Sequence, residues 1–313
     1  MSIVVVQQMV IIFILIAIGI FLSKSGHLNV NSSRDVSWIV VNITNPITIL
    51  VAALEDEEKV GAMELGKAFF FFFLMYAFLG IVGYFLPILL GVAKDERYSY
   101  RFLSVFGNVG FIGIPFCSAV LGVHSLIYVS ICGLVFNLIF YSVAFGQMRK
   151  VGVRQHPERD YGDGKFSVKS LINSGTVFAV LTIVIYVLDI SVPAMMKSTL
   201  THIGRSTTFL SMIVLGVSVA QVAVKDIFGK WRLYAFTLIR QIAVPVVLYF
   251  LLRIFIKDEL MLHTFVLLSA MPCANLPLMT AKQFDVEEST ISSAIILTTV
   301  LSIVTIPLVT LVL

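Results

Sequence analysis

Two apolar stretches of the chain carry prolines, glycines and asparagines of the kind that could bind a small anion. One runs from Gly107 to Phe116 and the other from Ala270 to Met279. A proline removes a backbone donor and clashes with the preceding helical turn, so each stretch is expected to interrupt a helix. An interruption inside a membrane leaves half-helix ends with unpaired N–H groups and a partial positive charge, and such ends can hold a carboxylate.

Eight residues form the predicted substrate-binding site: Asn108, Gly110, Gly113, Pro115, Pro272, Asn275, Pro277 and Arg240. An amide side chain offers both a donor and an acceptor, so either asparagine can bind a carboxylate or a hydroxyl. The alternative is that each asparagine caps a half-helix. The glycines either let a substrate approach the backbone or allow close packing of helices. The prolines are expected to shape the interruptions and to affect binding indirectly.

Arg240 is the one charge that lies well inside a predicted membrane span. An intramembrane charge is by default a functional candidate, and a guanidinium can clamp a carboxylate through two parallel hydrogen bonds. The alternative is that its side chain extends to the lipid headgroups, because Arg232 is only about two helical turns away. Gln241 is a weaker candidate by the same reasoning.

No Asp or Glu falls in the middle of any predicted span. Proton relays and sodium sites in membranes commonly use such carboxylates, so their lack argues against sodium–proton antiport and favours uniport or anion exchange. Sodium coordination by backbone carbonyls stays open. The five histidines have no ligand spacing, so no metal and no cofactor are expected. The sequence also has no nucleophile–base constellation, so it does not predict an enzyme.

The composition predicts a protein with many membrane spans. Hydrophobic residues make up 58% and charged residues 13% of the 313 residues, and the mean hydropathy is +0.99. A soluble domain is typically about 25% charged. The net charge of +4 comes mostly from loops, and it fits membrane orientation better than nucleic-acid binding.

The hydropathy pattern predicts an all-α polytopic membrane protein with ten transmembrane helices. The predicted spans are Ile3–Leu22, Val36–Leu54, Leu65–Val92, Phe102–Leu121, Leu126–Phe145, Leu171–Leu188, Thr207–Ala223, Leu233–Ile256, Leu262–Ala281 and Ile291–Leu313. A basic loop, 147–169, separates residues 1–146 from residues 170–313. Five spans on each side give the two halves opposite orientations, which is an inverted repeat. An offset of 162 residues relates Pro115 in span four to Pro277 in span nine, and the same offset relates the first span to the sixth.

Lys and Arg are unevenly divided between the two sets of loops. Fifteen fall on the side of the loop 147–169 and six on the opposite side. Because basic loops stay in the cytoplasm, the richer side is predicted to be cytoplasmic and both termini to lie outside the cell membrane. The acidic residues that begin at Glu55 are then a solvated outer loop.

The motifs of the two interrupted segments resemble those of the auxin efflux carrier family. The first has Asn108, Gly110 and Gly113-Ile114-Pro115, and the second has Pro272, Pro277 and Ala281-Lys282-Gln283-Phe284; Asn45-Pro46 in the second span also suits the family. The resemblance extends over the whole chain in length, span number and central loop. The short loop is more similar to that of bacterial members than to that of plant auxin carriers.

This resemblance implies a ten-helix fold related to those of bile-acid symporters and sodium–proton antiporters. It implies a homodimer that transports small organic anions, such as auxin in plants and malate or malonate in bacterial relatives. It also implies a scaffold of spans one, two, six and seven and a moving transport domain of spans three to five and eight to ten, with spans four and nine crossing at their breaks. Cys273 and Asn275 between the late prolines depart from the plant pattern.

A secondary transporter of a small mono- or dicarboxylate by alternating access is therefore the leading hypothesis. A ligand sensor that keeps the transporter fold is the alternative, and binding without flux would distinguish it. A channel is disfavoured because interruptions at mid-membrane suit an enclosed site.

Overall fold

A computed structural model describes residues 2–55, 59–161, 172–221 and 230–313, and the regular structure in these residues is helical. Helical segments that follow one another with no residue between them are counted as one helix. The helices are then α1 Ser2–Lys24, α2 Val30–Glu55, α3 Ala62–Leu89, α4 Arg97–Val105, α5 Val109–Leu121, α6 Val123–Gln155, α7 Ser174–Val187, α8 Ala194–Ala220, α9 Trp231–Leu252, α10 Glu259–Ala270, α11 Leu276–Gln283 and α12 Ser289–Thr310. The predicted helical class is thus confirmed.

Seven of these helices are long and apolar enough to cross a membrane: α1, α2, α3, α6, α8, α9 and α12. Helices α5, α7 and α10 are apolar but shorter. The predicted fourth span contains the end of α4 and all of α5, and the predicted ninth contains most of α10 and the start of α11. The chain therefore has the helices of a multi-pass membrane protein, and two of its predicted spans are each divided into two helices.

The segment predicted as the basic loop 147–169 begins as a helix. Helix α6 continues as far as Gln155, where Gly152 packs against the carbonyl and side chain of Phe284 at the end of α11. Arg159 then forms an ion pair with Asp285 in the turn after α11. Residues 162–169 of the predicted loop lie outside the described residues, as do most of the acidic run after Glu55 and the predicted span ends Leu171 and Ala223.

In the part of the chain that the structure describes, four widened, π-helical turns occur within the helices: Val40–Thr44 in α2, Val109–Gly113 at the start of α5, Phe140–Ala144 in α6 and Ile239–Ala243 in α9. Three of them end two residues before a proline, namely Pro46, Pro115 and Pro245. In each case the residue before the proline donates its N–H to the carbonyl five residues earlier. The widened turn leaves room for a pyrrolidine ring that would otherwise clash with the carbonyl four residues earlier, so these helices pass their prolines without breaking.

Helices α1 and α8 cross in close contact at two glycines. A Cβ added at Gly216 would lie 2.7 Å from the Cα of Gly19 and inside van der Waals contact of the Ile16 carbonyl oxygen. Helix α8 also meets α2, where the Thr48 hydroxyl contacts the Gly204 carbonyl oxygen at 3.1 Å and the Thr207 hydroxyl at 2.7 Å. Small residues let the backbones approach, as is common between helices in membranes.

The substitution Gly216→Ala is expected to destabilise the protein by about 1–3 kcal/mol, because the new methyl group overlaps the backbone of α1 and the helices must separate. The thermal unfolding midpoint of detergent-solubilised protein measures this effect. Gly80→Ala in α3 is the matched control, since a Cβ there meets nothing within 4 Å. A helical Gly→Ala change without a clash is neutral or stabilising. Equal midpoints for the two variants would contradict the close crossing.

Candidate functional site

The two interruptions lie against each other and pair as a short antiparallel bridge. Gly107 is opposite Cys273. The N–H of Asn108 donates to the carbonyl of Pro272 at 2.7 Å, and the N–H of Ala274 donates to the carbonyl of Phe106 at 2.9 Å. Backbone groups that are freed between α4 and α5 are therefore satisfied by those freed between α10 and α11. The contact of the two predicted breaks is thus present in the structure.

Helix α12 supports this bridge from one side. The hydroxyl of Thr298 accepts a hydrogen bond from the N–H of Cys273 at 3.1 Å. The carbonyl of the same threonine accepts one from the side-chain amide of Gln241 at 3.0 Å. All three residues are buried. The bridge is therefore fixed to α9 and α12 as well as to the helices that it joins.

We call the bridge between Phe106–Asn108 and Pro272–Ala274 the crossing. Arg240 lies beside it and is 1% exposed. Its Nε donates to the carbonyl of Ser104 at 3.1 Å, and its Nη1 donates to the carbonyl of Ser269. These carbonyls belong to the last turns of α4 and α10, where a helix carries a partial negative charge. The guanidinium thus caps the carboxyl ends of two helices at once. Its extension to the lipid headgroups, one alternative from the sequence, is wrong.

The remaining guanidinium nitrogen, Nη2, is buried and has no hydrogen-bond partner. A Cβ added at Gly107 would lie 3.1 Å from it. Gly107 therefore leaves the space in which this nitrogen sits. A buried donor without a protein partner is costly, so this nitrogen is able to donate to a ligand group.

Asn108 caps the amino end of α5. Its Oδ1 accepts the N–H of Phe111 at 3.1 Å, which confirms the capping alternative from the sequence. Its Nδ2 is buried and has no partner. The cap uses only the acceptor half of the amide, so the donor half is still available to a ligand. The two roles considered for this residue are compatible.

Asn275 occupies the corresponding position before α11, but its side chain makes no capping hydrogen bond. It is half-buried. Pro277 is the second residue of α11, where a missing N–H costs nothing. Pro272 lies in the interruption itself and contributes the carbonyl that Asn108 contacts. Pro115 does not interrupt a helix, because it follows the widened turn of α5 and the chain leaves the helical conformation earlier, at Phe106.

The two predicted glycines have different neighbours. A Cβ at Gly113 would lie 3.0 Å from a methyl carbon of Leu268, so this glycine allows close packing of α5 on α10. A Cβ at Gly110 would lie 3.4 Å from the amide nitrogen of Asn45 in α2. Asn45 is buried and its Oδ1 has no partner. It was not among the predicted site residues, although the Asn45-Pro46 pair is a signal in the sequence.

The crossing therefore combines one buried positive charge with unpartnered amide groups. Arg240 is the one fully charged side chain in the buried set of the described residues. The described residues contain no group of His, Cys, Asp and Glu that could hold a metal ion. Arg240 Nη2 and Asn108 Nδ2 are both donors, and donors in an apolar setting favour a ligand with acceptor atoms and negative charge.

A cavity of about 340 Å³ opens at the amino-terminal ends of α3 and α10. It is lined by Glu64, Lys67, Phe71, Phe255, Ile256, Lys257, Asp258 and Met261. None of these residues belongs to the crossing, so this cavity is a separate surface feature.

Comparison with known proteins relates nearly the whole chain to one family. The profile described as membrane transport protein matches residues 4–310. An uncharacterized transporter from Methanocaldococcus jannaschii is 27% identical over 301 residues, which is 95% of each chain.

The substitution Thr298→Val is expected to destabilise the protein by about 1–3 kcal/mol, because it leaves the buried N–H of Cys273 without an acceptor. Thr299→Val is the matched control. Its hydroxyl is also buried, but it donates to the Ile295 carbonyl of its own helix and supports no other segment. Thermal unfolding in detergent measures both. If Thr299→Val lowers the midpoint as much as Thr298→Val does, the support of the crossing by α12 is refuted.

Proposed function

The chain belongs to the membrane transport protein family, the auxin efflux carrier family that its motifs resemble, and from that premise we propose that it is a secondary transporter of small organic anions. The substrate is an auxin-like monocarboxylate or a malate- or malonate-like dicarboxylate. It binds at the crossed interruptions and crosses the membrane by elevator-type alternating access. No cofactor and no nucleic acid take part.

The observation that carries this proposal is the pair of buried donors without partners at the crossing, Arg240 Nη2 and Asn108 Nδ2. A carboxylate has two oxygens that accept several hydrogen bonds and a charge that complements the guanidinium. Asn275, with no capping bond of its own, is the third side chain that we assign to substrate. Gly110, Gly113, Pro115, Pro272 and Pro277 shape the space around it.

The proposed architecture has ten membrane spans in two inverted repeats of five, residues 1–146 and 170–313. Helices α4 with α5 form span four, and α10 with α11 form span nine.

Spans one, two, six and seven form the scaffold, through which two copies assemble as a homodimer. Contacts of α8 with α1 and α2, and of α2 with α7, support this grouping, as do contacts of α9 with α10 and of α3 with α4 in the transport domain. The basic side faces the cytoplasm and both termini face outside.

Transport by purified protein in liposomes tests the function directly. Radiolabelled indole-3-acetate, lactate and malonate are the probes, and the expected result is flux that saturates with substrate. Saturable binding without flux would replace the transporter with a ligand sensor of the same fold. Single-channel currents would replace it with a channel.

The substitution Asn108→Ser separates the two roles of this residue. Serine caps a helix about as well as asparagine, so the fold is retained, but it cannot place the Nδ2 donor. We expect KM for the transported anion to rise by about tenfold, because the loss of one hydrogen bond to a charged group costs about 1.4 kcal/mol and this energy corresponds to a factor of ten. The unfolding midpoint should not change.

Asn29→Ser is the matched control. Asn29 caps α2 through an exposed hydrogen bond to the Ser32 N–H at 2.9 Å, far from the crossing in the chain. This variant should leave both KM and the midpoint unchanged. An unchanged KM in Asn108→Ser would remove this asparagine from the proposed site.

A further inference from the structure

Arg240 brings an uncompensated charge into the centre of the protein. No carboxylate is present in the buried set of the described residues, and its two hydrogen bonds go to neutral backbone carbonyls. A guanidinium keeps its proton at any pH that proteins tolerate. The partial negative charges of the two helix ends stabilise the guanidinium locally, but each is matched by a partial positive charge at the other end of its helix, so the helices add no net charge.

This charge is rigidly attached to the helices of the crossing. The acceptor carbonyls lie in α4 and α10, the arginine itself lies in α9, and Gly107 borders its free nitrogen. Gln241, the next residue, is bonded to α12. Any movement of these helices as one body therefore moves the charge with it.

We propose that Arg240 is a resident cation that decides which step of transport responds to the membrane potential. This inference rests on the proposed function. A bound monocarboxylate neutralises the guanidinium, so the loaded transport domain moves without net charge. The empty domain then moves one positive charge. The potential consequently acts on the return of the empty protein and not on the loaded step.

The direction of the effect follows from the sign of the charge. A potential that is negative inside draws the empty, positive domain toward its inward-facing position. The inner face then binds anion, the neutral complex moves out, and the cycle exports one negative charge. About 100 mV acting on a full charge shifts the distribution of the empty form between its two faces by up to about 50-fold, and less if the charge crosses only part of the field.

Liposomes with a potassium diffusion potential distinguish the two steps. Exchange, with saturating lactate or indole-3-acetate on both sides, uses only the loaded step. Net efflux into anion-free buffer uses the empty step as well. We expect exchange to be equal at zero and at about 100 mV, negative inside, whereas net efflux accelerates. Malonate exchange should slow with potential, because its complex keeps a negative charge.

Three variants locate the effect in Arg240. In Arg240→Gln the loaded complex carries the charge of the anion, so exchange of a monocarboxylate should fall up to about threefold to fourfold at 100 mV. Arg240→Lys keeps the charge and should keep the wild-type pattern. Arg232→Gln is the control, because it also removes one positive charge, but from the residue that contacts the Leu90 carbonyl near the end of α3. It should behave as wild type.

The wild-type comparison decides the proposal even if Arg240→Gln fails to fold. Monocarboxylate exchange that slows with potential in the wild type overturns it while leaving a working transporter. Net efflux that ignores the potential overturns it as well. Absence of flux for all three anions refutes the proposed function, and the role of Arg240 in transport falls with it.

Discussion

The structure depends on the need to satisfy a backbone that leaves the helical conformation inside an apolar protein. An unpaired N–H or carbonyl in such surroundings costs several kcal/mol, so an interruption survives only where partners are present. Here the partners of each interruption come from the other. The bridge between Phe106–Asn108 and Pro272–Ala274 places four helix ends together through backbone hydrogen bonds.

The four helix ends at the bridge are not equivalent, and the protein treats them differently. The carboxyl ends of α4 and α10 are held by Arg240, which donates to one carbonyl of each. The amino end of α5 is closed by Asn108, and the amino end of α11 has no side-chain cap. Negative ends thus have a fixed cation, while the positive ends keep unused amide groups. This asymmetry supports the proposed binding of an anion at the crossing.

Much of this arrangement could be predicted from residue types. Prolines, glycines and asparagines in apolar stretches indicated both interruptions and the asparagine that precedes the second helix of each, although only Asn108 caps its helix. The exact position of the first interruption could not be predicted, since a widened turn absorbs Pro115. A proline in an apolar stretch fits either a break or a widened turn, and its residue type does not distinguish the two.

The partners of Arg240 were also beyond sequence reasoning. Its distance from Arg232 in the chain fitted a path to the headgroups equally well, and only the tertiary structure brings the carbonyls of Ser104 and Ser269 within its reach. Asn45 shows the same limit, because its significance comes from lying against Gly110 of another helix. Long-range contacts between buried polar groups decide the site, whereas local patterns decide where helices bend and end.

The mutual pairing of the interruptions changes how a ligand can be held there. The N–H groups of Asn108, Cys273 and Ala274 are already bonded to the partner segment or to Thr298, so a carboxylate cannot depend on them without opening the bridge. The buried side-chain donors without a partner, above all the third nitrogen of Arg240, are not engaged in this bridge. In the proposed function, a substrate held by these side chains rather than by the bridged N–H groups leaves the bridge intact, and Arg240 then serves both the substrate and the two helix ends that it caps.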